Sequence, residues 1–186
     1  MNYKNKYLKY KKKYLNLKRN QQGGFFFPHN FFFDKDVSEE NKKLTRKYLF
    51  NSKGWISKGY TFNEVNDLKL ADSKIYFKSS DFINKKYSFA SKLQNLSVTD
   101  RSNDPIEVYF NLNNWNNPPK TFISNKNRLD NYRAYLIQHE MGHAIGYDHP
   151  KIPKISNDLK NCDPMLQQTK YTEPYCKANP WISKYN

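Results

Sequence analysis

Residues 139–149 decide the interpretation of this chain, and they read HEMGHAIGYDH. The segment holds three of the four histidines in the sequence. Residues four apart in an α-helix lie on one face, one turn apart, so His139 and His143 can direct their ring nitrogens to one point. Glycine adopts left-handed backbone dihedrals at little cost, so Gly146 can end the helix and let the chain bring His149 to the same point. The spacing predicts a helix that ends near Gly146 and a cluster of three histidines beside it.

Three imidazoles around one point are typical of a catalytic zinc site. Zn²⁺ accepts nitrogen ligands, and a site with three protein ligands keeps the fourth position for water. Glu140 lies about 100° around the helix from His139, beside the metal but outside its ligand set. A carboxylate in that place can take a proton from the zinc-activated water and pass it to a leaving amine. We therefore predict one catalytic zinc ion, bound by His139, His143 and His149, with Glu140 as the general base.

Composition divides the chain into three parts. Residues 1–24 form a basic amphipathic N-terminal arm, because the first 20 residues contain eight Lys or Arg and no acid and carry +8 of the net charge of +15. Residues 25–54 are predicted to be an aromatic-rich linker or pro-like segment, with a short helix that begins at Ser38. Residues 55–186 are predicted to be the catalytic domain, which is long enough to build a core of its own.

Hydrophobic periodicity in residues 55–186 predicts both strands and a helix. Residues 106–112 have apolar side chains at every second position, which is typical of a strand, and residues 74–77 form a second candidate. The helix that carries the motif is expected over about residues 130–145. Some forty residues follow with little periodicity, so we expect an irregular C-terminal part. This mixture indicates an α+β fold.

The basic arm has two interpretations of equal weight. Residues 1–20 can bind an anionic surface or nucleic acid, and they can equally be a solvated tail. No stretch of the chain approaches the roughly 18–20 apolar residues of a membrane span. Residues 21–24 are Gln-Gln-Gly-Gly, where a secretory signal peptide would have an apolar run. We therefore expect neither a transmembrane segment nor a signal peptide.

The two cysteines of the chain, Cys162 and Cys176, lie close together near the C-terminus. Neither belongs to a C-x-x-C pair, so a tetrahedral cysteine site is not expected. A disulfide that closes a short loop and a pair of free thiols both remain open from the sequence.

The pattern H-E-x-x-H-x-x-G-x-x-H in residues 139–149, followed by Met165 after Asp163-Pro164, resembles the metzincin clan of zinc proteases. The resemblance implies that Met165 is the methionine of the Met-turn, an apolar floor beneath the metal. It also implies a mixed, mostly parallel sheet with an active-site helix and an irregular C-terminal subdomain. Strand 106–112 is then expected at or near the sheet edge that borders the cleft, where a substrate adds as an extended strand.

The residues around the motif show a more particular resemblance. Tyr132-Arg133-Ala134-Tyr135, residues 164–169 (PMLQQT) and residues 176–181 (CKANPW) resemble a largely uncharacterised actinobacterial family of predicted zinc metalloproteases. The similarity extends over roughly residues 55–183. It implies a proteolytic activity on a protein or peptide substrate.

The N-terminal arm resembles a different group of proteins. Residues 1–24 are rich in Tyr and Lys and end in Gly23-Gly24, like a segment that recurs on proteins of giant DNA viruses. The resemblance implies a viral protein, located in the virion or in the cytoplasm of the infected cell.

The sequence favours a zinc endopeptidase, with alternatives from other classes. A hydrolase of another amide bond would use the same metal chemistry. A zinc-stabilised binding or virion structural module would need the three histidines but not a general base, so Glu140 argues against it. A nucleic-acid-binding protein would rely on the basic arm, although residues 55–186 contain no recognised nucleic-acid motif.

Overall fold

A five-stranded sheet organises the part of the chain that the structure describes. The structure, a computed structural model, describes residues 27–87, 96–120, 122, 127–155, 159–172 and 175–184. The strands are β1 (Phe27–Phe33), β2 (Tyr60–Glu64), β3 (Ser73–Lys78), β4 (Val98–Asp100) and β5 (Ile106–Asn111). Their order is β2-β1-β3-β5-β4, and only the β4–β5 pair is antiparallel. The predicted α+β fold with a mixed, mostly parallel sheet is confirmed.

Four α-helices accompany the sheet within the described residues. They are α1 (Glu39–Leu49), α2 (Ser80–Lys86), α3 (Leu112–Asn116) and α4 (Arg128–Ala144). Short 3-10 turns lie at Trp55–Lys58, Leu68–Leu70 and Ile182–Lys184. Helix α4 carries the motif and begins two residues earlier than its periodicity predicts. None of the helices in the described part of the chain is both long and apolar enough to cross a membrane.

Helix α1 forms where the sequence predicts a helix. The Ser38 hydroxyl accepts a hydrogen bond from the backbone N–H of Asn41, which satisfies one of the free donors of the first turn. Glu39 and Glu40 lie in that turn, where carboxylates complement the positive end of the helix dipole. The helix packs against α4.

The structure corrects the predicted role of residues 25–54. Strand β1 lies inside the sheet between β2 and β3, and Phe31 and Phe33 belong to the main hydrophobic core. Residue 55 is therefore no boundary of the sheet or of the core. The segment is not a linker, because its strand and helix are built into the domain. The predicted basic arm, residues 1–24, lies outside the described residues.

Strand β5 is buried on both faces, one strand in from the sheet edge. On one face Val108 and Phe110 pack into the core beneath α4, where Trp115 is fully buried. On the other face Tyr109 packs against α2 and β4, in a second cluster with Ile83. The edge strand is β4, a three-residue strand that sequence periodicity did not reveal.

Gln138 fixes α4 against the N-terminal half of the domain. Its side chain is completely buried, donates to the backbone carbonyl of Tyr48 (2.8 Å) and accepts from the backbone N–H of Trp55 (3.2 Å). The Trp55 indole N–H donates to the Gln138 carbonyl (2.7 Å). A Cβ at Gly54 would lie 2.5 Å from Oε1 of Gln138, so a larger residue there would have to displace the Gln138 amide from its hydrogen bonds. These contacts place the motif-bearing helix at a defined position over the sheet.

Candidate metal centre

The three histidines of the motif converge in the structure. His139 and His143 lie on one face of α4, and His149 returns to them from the loop beyond the helix. Their Nε2 atoms form a triangle with sides of 3.1 Å (139–149), 3.3 Å (139–143) and 3.0 Å (143–149). The sequence-predicted cluster is therefore brought together within one metal-binding distance.

Hydrogen bonds at Nδ1 orient two of these rings. Nδ1 of His139 lies 2.9 Å from the carbonyl oxygen of Pro164, and Nδ1 of His143 lies 2.8 Å from that of Tyr147. A carbonyl can only accept, so each Nδ1 must donate its proton. In a neutral imidazole the Nε2 atom is then a bare acceptor. Two Nε2 lone pairs therefore face each other, an arrangement that a shared cation stabilises.

The donor set fits zinc. Four-coordinate zinc with Zn–N bonds of about 2.0–2.1 Å places its nitrogen ligands about 3.3–3.4 Å apart. The observed Nε2 separations, 3.1, 3.3 and 3.0 Å, are only slightly shorter. Imidazole nitrogens suit zinc and its transition-metal neighbours, whereas magnesium and calcium prefer oxygen ligands. His139, His143 and His149 are therefore the residues that would hold a metal.

Gly146 ends α4 through backbone geometry. Its φ is +103°, a left-handed value that glycine adopts at little cost. The N–H of Gly146 donates to the carbonyl of His143 (3.1 Å), and the N–H of Tyr147 donates to that of Gly142 (2.9 Å). This is the Schellman arrangement that closes a helix. It turns the chain where the motif predicts, so that His149 reaches the other two ligands.

Met165 packs against α4 at Gly142, one residue before the ligand His143. The Met165 side chain is 3% exposed. A Cβ added at Gly142 would lie 2.3 Å from Sδ of Met165 and 2.7 Å from Cζ2 of Trp55. The small residue therefore lets Met165 approach the helix directly, next to His143. That Met165 is the methionine of a Met-turn stays a prediction of the resemblance to metzincins.

An irregular C-terminal segment holds Met165 in place. Cys162 and Cys176 are joined in a disulfide. The Gln168 side chain donates to the carbonyl of Asn179 (2.7 Å) and accepts from its N–H (2.9 Å), and Nδ2 of Asn179 donates to the carbonyl of Cys162 (3.0 Å). Both polar side chains are buried. Fully paired buried polar groups of this kind specify one conformation of a segment that has no helix or strand around Met165.

Glu140 points to the edge strand and not to a metal-binding position. The Thr99 hydroxyl lies 2.6 Å from Oε2 of Glu140 and 3.0 Å from its backbone oxygen. The carboxyl group is 4% exposed, and burial raises the pKa of Glu140 to about 7, although the Thr99 hydrogen bond acts to lower it. A carboxyl group that titrates near neutral pH is suited to exchange protons.

All three histidines have lowered pKa values, which favours the neutral form of each ring. Burial lowers the pKa of His143 to about 4. Burial is also the main cause of the lowered pKa of His139, with the neighbouring His143 acting in the same direction. The pKa of His149 is lowered as well, mainly by burial. Neutral imidazoles are the form that binds metal ions.

The cluster opens onto a cleft of about 560 Å³. Its walls come from β4 and the residues on either side of it, from α4 and from the C-terminal segment. Two charged residues on the walls were missed by sequence analysis: Arg101, just after β4, and Asp148, just before His149. They form an ion pair with each other.

Thr99 and Arg101 escaped sequence analysis for an identifiable reason. A three-residue strand has too few positions to show alternation, and both residues are about 40 positions away from the motif. A Val-Thr pair at residues 98–99 is the only indication of a strand there, because both side chains are β-branched.

Comparisons with known proteins give one family. A solved structure titled "GM1 bound form of the ECX AB5 holotoxin" resembles the chain with a TM-score of 0.39 and 14% identity, over 71% of this chain and 55% of that one. A likeness at this level carries no argument. No curated protein matches the chain. Residues 38–180 match the family described as "Protein of unknown function (DUF3152)". Because the match extends over most of the chain, this protein belongs to the DUF3152 family.

Proposed function

We propose that this protein is a zinc-dependent endopeptidase of the metzincin type. The observation that carries the proposal is the juxtaposition of three converging Nε2 atoms with a buried carboxyl group, Glu140, in one cleft. A site that only stabilises the fold needs the ligands but has no use for a carboxyl group that exchanges protons near neutral pH. The left-handed turn at Gly146 and the packing of Met165 against α4 at Gly142 support the assignment to the metzincin type.

The histidines would hold the metal and Glu140 would move the proton. When bound, zinc supplies a Lewis acid that lowers the pKa of a coordinated water from about 15.7 to about 7. Glu140 accepts a proton as water attacks the peptide carbonyl, and it then donates that proton to the leaving amine. Its pKa of about 7 balances the two tasks, because the group is a competent base and a competent acid at the same pH.

Thr99 can keep its hydrogen bond to Glu140 in both protonation states of the carboxyl group. Its hydroxyl has one proton and two neighbouring oxygens, Oε2 and the backbone oxygen of Glu140. When the carboxylate is ionised, the hydroxyl donates to Oε2. When the carboxyl is protonated, it can donate to Thr99, whose own proton then goes to the backbone oxygen. The side chain of the base is thus held in one orientation throughout.

Strand β4 is the expected binding edge for the substrate. It is the last strand on its side of the sheet among the described residues, and its residues line the cleft beside Glu140. An extended peptide can pair with such an edge through main-chain hydrogen bonds, which places a peptide carbonyl over the metal ligands. This mode of binding favours cleavage within a chain, and we therefore propose an endopeptidase. A hydrolase of another amide bond would use the same groups without needing the strand edge.

Metal removal and restoration test the proposal. The native full-length chain, depleted of metal by a chelator, should not cleave a diverse peptide library, and about one zinc per chain should restore cleavage. His143→Ala should prevent both zinc retention and restoration, whereas Lys43→Ala on the exposed face of α1 should not. Cleavage by the metal-free protein would contradict the proposal. Zinc binding without cleavage of any peptide would favour the non-catalytic module.

A further inference from the structure

The cleft carries a cation that the proposed chemistry does not use. Arg101 lies directly after β4 and lines the cleft together with the metal ligands. It is the one Lys or Arg among the described residues that form the cleft wall. The Glu140 carboxyl is bonded to Thr99, whereas the ion-pair partner of Arg101 is Asp148. Arg101 is therefore free of the proton-transfer machinery.

The guanidinium of Arg101 lies within electrostatic range of the histidine cluster. Burial is the main cause of the lowered pKa values of His143 and His149, and the positive charge of Arg101 lowers both further. Its ion-pair partner, Asp148, is the residue directly before the ligand His149. A group that replaced Asp148 beside Arg101 would therefore lie next to the proposed reaction centre.

A ligand can replace Asp148 as the ion-pair partner of Arg101. The side chain of Arg101 is 43% exposed and that of Asp148 is 77% exposed. Ion pairs in contact with water are weak, because solvent screens the attraction and both side chains lose freedom. The guanidinium is a planar fork that matches a carboxylate with two parallel hydrogen bonds. A carboxylate held in place by the rest of a bound peptide can therefore displace the flexible Asp148 side chain.

We propose that Arg101 binds a carboxylate of the substrate and makes the cleft selective for peptides that present an acidic group there. The inference rests on the proposed function in taking a peptide as the ligand. The net charge of +15 acts in the same direction, because a strongly basic protein attracts acidic chains at long range. The carboxylate can come from an Asp or Glu side chain or from the C-terminus of the substrate.

Peptide binding, measured without turnover, tests this selectivity. The probe is a set of labelled peptides in three forms: amidated with one Glu moved along the chain, amidated with Gln in its place, and the Gln form with a free C-terminus. Fluorescence anisotropy would measure their binding to the full-length, zinc-loaded Glu140→Gln protein. Side-chain recognition should favour a Glu peptide over its Gln partner, and terminal recognition should favour the free C-terminus. We expect a preference of about 10-fold or more, typical of a hydrogen bond to a charged group.

Variants in the same background locate the effect. Arg101→Gln should remove the preference, and Arg101→Lys should keep part of it. Asp148→Asn should strengthen binding of the acidic peptides, because it removes the competing carboxylate. Lys43→Gln, which removes an equal charge from an exposed position outside the described cleft wall, should leave the preference intact.

Three results would overturn the inference. They are equal binding of acidic and neutral peptides, a preference that survives Arg101→Gln, and no binding of any acidic peptide. The outcome is separate from the fate of the proposed function. If an Arg101-dependent preference appears but the native protein cleaves no peptide, the endopeptidase proposal fails and the carboxylate site stands. If the native protein cleaves neutral and acidic peptides alike, the endopeptidase proposal stands and the carboxylate site fails.

Discussion

The metal ligands and the groups that orient them come from two regions built in different ways. Residues 139–149 form the end of α4, its closing turn and a short loop. Helical hydrogen bonds place His139 and His143, and the turn at Gly146 brings His149 back to them. Residues 159–172 have neither helix nor strand and are held by buried side chains and a disulfide, yet they supply Pro164 and Met165. The positions of the ligands are therefore a local property, and so is the orientation of His143 by Tyr147, whereas the orientation of His139 depends on Pro164, which is distant in sequence.

Helix α4 meets residues 159–172 at three contacts on one side of the helix. His139 donates to the carbonyl of Pro164, Tyr135 donates to that of Leu166 (3.1 Å), and Gly142 receives Met165. Each contact lies one turn along the helix from the next. If the comparison is right, changes at this face should disturb the metal site more than changes at the helix end.

Among the changes outside the three ligands, Gly142→Ala is expected to have the largest effect on the metal site. The added Cβ would meet Sδ of Met165 at 2.3 Å and the rigid Trp55 ring at 2.7 Å. Overpacking of this kind costs about 1–3 kcal/mol. We expect a lower free energy of unfolding and weaker zinc retention, because Met165 must leave its place. Denaturant unfolding and metal analysis would measure both.

Gly146→Ala is the matched control for that substitution. Nothing lies within 4 Å of the added Cβ, so the cost comes only from the left-handed φ of +103°. We expect a loss of about 1–2 kcal/mol. The packing of Met165 against Gly142 should stay intact. If Gly142→Ala and Gly146→Ala behave alike, or if Gly142→Ala keeps native zinc affinity, the packing of Met165 against α4 does not matter for the site.

Acidification should affect residues 139–149 more than residues 159–172, because the titrating histidine ligands lie in residues 139–149. The folded pKa of His143 is about 4, below its unfolded value of about 6.5, so its contribution to stability is fully present above pH 6.5. That contribution is lost as the pH falls through 4. The chelator-treated protein should lose unfolding free energy between these values, and zinc should be released from the loaded protein in the same direction.

The variant His143→Gln checks the origin of the acid sensitivity. It lacks the titrating ring, so the slope of unfolding free energy against pH should become shallower between pH 6.5 and 4. An unchanged slope would show that other groups cause the acid sensitivity. Chemical denaturation at a series of pH values is sufficient for the measurement.

Removal of the disulfide should have the smallest effect on the ligands themselves. Replacing both Cys162 and Cys176 by Ser should lower the unfolding free energy by about 2–4 kcal/mol, since the bond restrains the unfolded chain. The histidines of α4 remain in register, so we expect zinc binding to persist with reduced affinity. Isothermal titration with zinc would show complete loss if the C-terminal segment were needed to form the cluster at all.

The contrast between local and long-range contacts also explains which parts of the molecule the sequence predicts. The histidine spacing and the glycine turn are encoded in eleven consecutive residues, and the structure places them as expected. Thr99 and Arg101 were not foreseen, because their contacts with Glu140 and Asp148 depend on the pairing of β4 with β5. The place of β1 in the sheet was missed for a related reason: parallel pairing joins residues far apart in sequence and leaves no local pattern.

In the mechanism that we propose, Glu140 performs catalysis at a zinc site. Steady-state kcat/KM on the best peptide of a library, with zinc content measured in the same samples, tests it most directly for the native protein and Glu140→Gln. We predict equal zinc content and a fall in kcat/KM of roughly 10²–10⁴-fold, the usual contribution of general acid–base catalysis. Glu40→Gln, an exposed change in the first turn of α1, should match the native protein. Equal activity of the native protein and Glu140→Gln at equal zinc content would contradict a catalytic role for Glu140.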